Sequence, residues 1–521
     1  SAEAPSAVQN LAVSPTGVGE LTVTWEAPAT GDTTSYTVTL TTTDGTLSRS
    51  SSVYTTTNTS YKVSGLSPAN GYKFSVTASN AKGTSSPEKD SFRKAVIGLG
   101  NDAPGALTTG LDGSIWVSDS FTVNEQGDEA IPSTIQQIVK DNGVWTAQAA
   151  IGVGRTPSAL TTGLDGSIWV ANGRSNTVQQ IVSDNGVWTA QAPIGVGANP
   201  NALTTGHDGS IWVANGSSNT VQQIVNDNGV WTAQAPIGVG ENPGALTTGL
   251  DGSIWVANFN NKLAAPATTL KGIFAKKGTV QQIVKNNNTG VWTAQAAIGV
   301  GVYPVALTTG LDGSIWVANG KPNTVQQIVK NDNGVWTAQP AITVGGTPLA
   351  LTTGLDGSIW VANRKSNTVQ QIVKNNHGVW AAQAVIGVGN NPGALTTGLD
   401  GSIWVSNWNS GTVQQILAPP NAPSDLAAVF GPGSNEVTLG WQHVIDGGSP
   451  VISYTATVAQ GEYFQTITTT DLSCVFDGLT LGSGPTYFTV TATNFVGESK
   501  TAALQIDASG NTIPKQLHTG I

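Results

Sequence analysis

The phrase ALTTGLDGSIWV runs through the middle of the chain in seven near-copies, at residues 106–117, 159–170, 202–213, 245–256, 306–317, 350–361 and 394–405. Only the third copy differs, with His207 in place of leucine. The closing tryptophans, Trp116, Trp169, Trp212, Trp255, Trp316, Trp360 and Trp404, recur every 43 or 44 residues, except where insertions stretch the spacing to 53 and 61. Short β-type runs joined by Gly/Asp turns at this period are the signature of a β-propeller. Seven copies predict seven blades.

Each repeat divides into four strand-like pieces, ALTTG, SIWVAN, TVQQIV and GVWTAQ, followed by IGVG and a proline. The LDG and DNG or NNG joints suit tight hairpins, because Asp-Gly and Asn-Gly accept the positive φ such turns need. GVW occurs six times, and the seventh repeat stops after TVQQIL at Leu417. The missing fourth strand is expected from the front of the chain. SFRKAVIGLG at 91–100 aligns with the GVWTAQAAIGVG of other repeats, which places Phe92 at the tryptophan position and makes 91–97 the closing strand. Such a latch removes the open sheet edges.

The flanking segments, 1–90 and 419–508, read as short alternating strands between Gly, Pro, Asn and Asp turns, the pattern of a β-sandwich. The first carries Pro5, Leu11, Trp25 in LTVTW, Tyr36 in SYTV, Leu66 in SGLSP, Tyr72 in GYKFSV and an ASNAKG ending. The second carries Pro423, Leu426, Trp441 in VTLGW, Tyr454 in SYTA, Leu479 in DGLT, Tyr487 in TYFTV and TATNFVG. Both resemble fibronectin type III domains, a resemblance that makes the tryptophans and tyrosines core residues and implies spacer or adhesion modules. The domain plan is thus all-β: a sandwich at 1–90, a seven-bladed propeller at 91–418, a second sandwich at 419–508 and a tail at 509–521. The repeat, read as IGVGANPNALTTGHDGSIWVANGSSNTVQQI, resembles the YVTN family through Gly197, Pro200, Asp208, Gly209, Asn215, Asn219 and Val221, with Trp212 in place of that family's tyrosine. That resemblance implies a cell-surface or surface-layer setting. The DG-x-x-W unit is also similar to that of streptogramin B lyase, another seven-bladed propeller.

Because strand direction alternates, the first-to-second and third-to-fourth turns fall on one face of the ring, and the remaining loops on the other. The first face is monotonous, with seven DG turns and six NG, TG or HG turns. The second holds nearly all differences between repeats, including both insertions, around 119–133 and 259–277. Copies of one repeat need the same framework but not the same loops, so divergence marks the face free to bind. Its candidate binding residues are Phe121, Arg155, Arg174, Phe259, Phe274, Tyr303, Lys321, Arg364 and Trp408. A flat ring beside Asn and Gly loops can stack on a sugar or anchor a protein. The Asp-Gly aspartates read as turn chemistry, and the Gln-Gln pairs as polar ladders between stacked blades.

Only 10% of residues are charged and the net charge is −10, so no basic field exists to hold nucleic acid or an anionic membrane. No apolar run approaches the length of a membrane span. The single cysteine, Cys474, lies in an alternating strand and reads as a buried small hydrophobe. The SAEAP start and the lack of methionine fit either signal-peptide cleavage or loss of an initiator methionine.

An enzyme would need titratable groups converging on the ligand face. The lyase resemblance implies paired His and Glu with a divalent metal, yet His207 and His377 lie in turns of the opposite face, and His443 and His518 lie outside the repeats. The residues after the loop prolines, expected to face the axis, are Gly105, Ser158, Asn201, Gly244, Val305, Leu349 and Gly393. The expectation is therefore no catalysis, no cofactor and no metal. The chain is expected to be an extracellular or cell-surface adhesion, surface-layer or binding protein for a protein or glycan, with assembly through the two fibronectin-like domains, or alternatively a virion component, possessing no nucleic-acid partner and no membrane insertion.

Overall fold

The structure is a computed structural model that describes residues 3–93, 95–100, 103–120, 133–259, 277–431, 435–480 and 483–513. Its regular structure is strand throughout, apart from one 3-10 turn at Trp408–Ser410. Seven antiparallel sheets follow one another, opening with the inner strands Ala103–Thr109, Pro157–Thr162, Pro200–Thr205, Pro243–Thr248, Val302–Thr309, Pro348–Thr353 and Pro392–Thr397. The second sheet shows the plan: Pro157–Thr162, Ile168–Asn172, Thr177–Asp184 and Val187–Ala190 pair in sequence. A fifth piece, Ile194–Gly195, pairs with the part of the third strand that Val187–Ala190 leaves uncovered, through Thr177↔Gly195 and Val178↔Ile194. The IG dipeptide that follows the four strand-like pieces is thus itself a strand.

Threonine hydroxyls close the ring. Around the circle the pairs Thr108/Thr162, Thr161/Thr205, Thr204/Thr248, Thr247/Thr309, Thr308/Thr353, Thr352/Thr397 and Thr396/Thr109 each share a hydroxyl–hydroxyl bond of 2.9–3.1 Å. The second threonine of each TTG also donates to the carbonyl of its counterpart one blade back, as Thr205 does to Thr162 at 2.9 Å. The last of these bonds, Thr109 to the carbonyl of Thr397, returns to the start. The seven sheets are therefore the blades of a closed propeller.

Between blades the packing is aromatic. Six of the seven buried second-strand tryptophans, all but Trp360, meet the outer tryptophan of the next blade edge to face, as Trp169 does Trp231 at 4.7 Å and 74°, a geometry worth roughly 0.5–1.5 kcal/mol beyond burial. The ring closes the same way, with Trp404 against Trp145 at 4.7 Å. The Asp-Gly turn supports this ring from within the blade. In blade three, Asp208 Oδ1 accepts from Ser210 N and from its hydroxyl, and that hydroxyl in turn accepts from Trp212 Nε1 at 3.1 Å and Gln223 Nε2 at 2.9 Å. The aspartates are turn groups, as their sequence context indicated.

The Gln-Gln pairs differ from expectation. They bond within their own blade, not between stacked blades, because the turn serine, the second-strand asparagine and the carbonyl after the fourth strand lie within reach on the same sheet. Gln180 reaches Ser167 at 3.1 Å, while Gln179 Oε1 accepts from Asn172 Nδ2 at 3.0 Å and its Nε2 donates to the carbonyl of Gln191. The one link outward is from the connector: Gly154 N donates to Gln179 Oε1. A Cβ on Gly154 would stand 2.6 Å from Asn172, which explains the second glycine of the IGVG phrase.

Closure of blade seven also corrects the sequence reading. Val96–Gly98 pairs with Thr412–Ile416 in the register Thr412↔Gly98, Val413↔Ile97, and so takes the place of an IG piece, not of a GVW strand. Phe92 does not occupy the tryptophan position. It belongs to Glu88–Arg93, which pairs with Gly71–Asn80 as a strand of the first sandwich, so that domain extends to Arg93 rather than 90. The vacated tryptophan slot is filled by the 68–69 turn of that sandwich. Ala69 shares an apolar cluster with Trp360, and its carbonyl accepts from Gln414 Nε2 at 2.8 Å, as the carbonyl of Gln191 does from Gln179.

The first sandwich packs a three-stranded against a five-stranded sheet around Trp25, Tyr36, Phe74 and Val76. The second does the same around Trp441, Tyr454, Phe476 and Phe488, with Cys474 buried among them. It rests on the Asp-Gly turns of blades six and seven: Lys500 Nζ donates to the Asp356 carbonyl at 2.7 Å, Asn421 Nδ2 to that of Leu355 at 3.2 Å, and a Cβ on Gly401 would touch Ile445. The monotonous face is therefore partly covered.

Candidate functional site

The loops of the variable face hang on a repeated backbone frame. The residue after each second-strand asparagine donates its N–H to the incoming connector: Gly173 to Thr156, Gly216 to Asn199, Phe259 to Asn242, Arg364 to Thr347 and Trp408 to Asn391, at 2.8–3.2 Å. The accepting residues, Thr156, Asn199, Asn242, Thr347 and Asn391, all have φ between 52° and 61°. Tyr303 has the same conformation, at 55°. Asparagine tolerates this left-handed region; Thr156, Thr347 and Tyr303 adopt it against their preference. The frame dictates the backbone, leaving the side chains free to differ.

This frame brings Phe259, Arg364 and Trp408 to equivalent positions where other blades carry Gly173, Gly216 and Gly320. At the axis the face opens into a cavity of about 450 Å³. Its wall is the ring of Ala and Leu from each ALTTG, and its mouth is formed by the residues after the loop prolines, from Gly105 round to Gly393, with Arg364, Asn391 and Trp408 at one side. Arg364 is the one ionisable side chain of the lining among the described residues.

The candidates fall into three groups. Arg364 lies over the Trp408 ring at 6.0 Å and its Nε donates to Asn391 Oδ1. Trp408 is 45% exposed. Phe259 and Tyr303 lean on each other at 5.5 Å, and Lys321 caps the Tyr303 ring at 5.3 Å, so these two rings are half-buried rather than open as the sequence suggested. Arg155 and Arg174 are exposed side chains on adjoining loops, joined by the Arg174 N–H to the Arg155 carbonyl at 3.2 Å, outside the cavity lining. Phe121 and Phe274 lie outside the described residues. Asn391, which braces Arg364, was missed; its place before Pro392 in the variable loop was the available signal. A shallow concavity beside it is lined by Lys365, Asn367, Asn390 and Asn409. Among the described residues no group of three or more His, Cys, Asp or Glu is placed to hold a metal ion.

Residues 6–93 match the fibronectin type III domain family. No curated protein matches the chain. Among solved structures, a streptogramin B lyase is 19% identical, covering 61% of this chain and 95% of its own, with a TM-score of 0.45. A virginiamycin B lyase from Staphylococcus aureus is 16% identical over 61% of this chain and 97% of its own, with a TM-score of 0.44. A protein from Lactobacillus plantarum is 14% identical over 69% and 98%, with a TM-score of 0.47.

Proposed function

We propose that this chain is a non-catalytic binding scaffold, displayed at a cell or virion surface, whose propeller takes a protein or glycan partner on its variable loop face. The observation that carries this reading is the axial cavity: an apolar wall with Ser158, Asn201, Arg364 and Asn391 as the polar groups of its mouth, set in loops that differ while the frame beneath them repeats. Apolar concavities with few placed polar groups suit ligands, and large aromatic and Arg side chains dominate binding energy. General acid–base chemistry calls for paired titratable groups, and the described lining offers Arg364 alone. We read the repeats as YVTN-type and the second sandwich as a further type III module, which favours the cell-surface setting.

Arrays of glycans and of surface proteins, probed with the whole chain, test this reading. Partners retained by the native protein should lose at least about tenfold in affinity with Trp408→Ala, Arg364→Ala or Tyr303→Ala, as expected for anchors worth roughly 2 kcal/mol. Leu311→Ser, on an exposed Asp-Gly turn, should bind normally. Equal loss for both sets would move the partner to the other face.

A further inference from the structure

The Asp-Gly face carries its own repeated cavity, between blades. At the junction of blades two and three, about 330 Å³ is enclosed by Asp165, Asp208, Trp169, Trp231, Leu164 and Asn226, among others. The junctions of blades four and five and of seven and one repeat it at about 370 and 360 Å³, with one exchange: Lys330 and Lys140 stand where Asn226 stands. In strand register, each of these three residues sits opposite the outer tryptophan of its blade.

In four blades this lysine holds its Nζ over the outer indole, at 5.7 Å for Lys140 on Trp145, 5.9 Å for Lys285 on Trp292, 5.8 Å for Lys330 on Trp336 and 6.0 Å for Lys374 on Trp380. In blade three, Asn226 instead turns into its own hairpin, its Oδ1 accepting from Gly229 N at 2.8 Å. The partly exposed Trp231 ring is thus left without the cation that four sister rings carry, as is Trp188, which stands opposite Ser183 in blade two. The carboxylates beside it keep acceptor capacity. Asp208 Oδ1 serves Ser210 twice, but Oδ2 receives only a long 3.4 Å contact from Gln223, and Asp165 is arranged the same way with Gln180.

We propose that the pocket between blades two and three binds an alkylammonium group supplied from outside, the side chain of a lysine on a partner protein, in the place where sister blades put their own. The indole face and two carboxylates attract the ammonium, while Leu164 lies along its methylene stem. The net charge of −10 favours a basic partner. The same turn face already accepts a lysine from another domain, since Lys500 of the second sandwich donates to Asp356 in the turn of blade six. This site is separate from the variable face and does not depend on it.

The test is titration of the whole chain with Nα-acetyl-lysine methylamide, followed through the indole N–H resonances and by calorimetry. Saturable binding that shifts Trp231 is expected, with a loss of about tenfold in Asn226→Lys, where the protein's own ammonium fills the place. That variant copies the residue found in four sister blades, so it folds, and an unchanged Tm verifies this. Trp231→Phe should weaken binding less than Asn226→Lys. The Nε-acetylated probe and methyl glucoside, which lack the charge, should not bind. Binding of either neutral probe at the same resonances, undiminished binding to Asn226→Lys, or no saturable binding would each overturn the proposal.

Discussion

Phe92 of the first sandwich packs against Phe495 of the second with ring centroids 5.2 Å apart, so domains separated by the whole propeller share an apolar contact. A backbone bond from Gly19 N to the Phe495 carbonyl, 2.7 Å, lies beside it. Both domains reach this point because both are fastened to blade seven. The N-terminal one is held by Val96–Gly98 and by Arg93, which donates to the carbonyls of Gln415 and Pro68. The C-terminal one is held through Ala418, whose N–H donates to Gly447.

Removal of residues 1–98 should lower the melting temperature far more than removal of 424–521, because only the first strips the outer edge of the third strand of blade seven. Within the intact chain, Ile97→Ala should cost about 2–5 kcal/mol in urea denaturation, as for a buried side chain in a packed core. Equal melting of the two truncations would disprove this closure.

Ser210→Ala should destabilise by about 1–3 kcal/mol, since it strips partners from Asp208, Trp212 and Gln223 at once. Ser217→Ala, exposed on a variable loop, should stay within about 0.5 kcal/mol. Chemical denaturation of the two variants side by side checks the contrast.

Burial, with repulsion from Asp400 added, raises Asp446 above the usual carboxylate range, against the opposing hydrogen bond from Gly448 N. The folded state therefore holds this proton more tightly than the unfolded chain. Its contribution to stability is full below about pH 4 and is lost as pH rises through the raised folded value. Asp446→Asn keeps the acceptor for Gly448 and removes the charge. Calorimetry from pH 4 to 7 should find a flatter profile in the variant and a higher melting temperature at pH 7; a steeper profile would reverse the assignment.

Burial pushes the Cys474 thiol up to about 11. Paired through Leu439 inside the second sandwich, it should resist Ellman's reagent in the native protein and react with one equivalent once unfolded. Rapid native labelling would show that this core opens.

Periodicity made most of the fold legible. Tryptophan spacing and Asp-Gly turns located the strands, and Trp25, Tyr36, Trp441 and Tyr454 marked the sandwich cores, whereas Tyr487, expected in the core, faces outward because its neighbour Phe488 takes the inward side of the strand. Phe92 was misread because an aromatic before IG looks like a degenerate GVW, while its pairing to Gly71–Asn80 is set by a strand some fifteen residues earlier, and no repeat encodes that. The direction of the Gln-Gln bonds depends on which neighbour lies within reach, Ser167 or the next blade, and periodicity is silent on that. The variable face was found from divergence alone, yet the burial of Phe259 against Tyr303 follows from a left-handed backbone at Tyr303 that only the frame imposes. The inter-blade pocket needed geometry, although the Ser183, Asn226 and Lys alternation at one strand position was visible beforehand.

The attachment of both sandwiches to blade seven fixes how the molecule carries load. Tension applied between the two sandwiches runs through Val96–Gly98, Thr412–Ile416 and the Phe92–Phe495 contact, a path confined to one sector of the ring. Blades six and one flank that line, while blades two to five lie off it. Threonine bonds, tryptophan contacts and shared apolar clusters join blades two to five to the ring, and a partner seated on them stands outside the loaded sector.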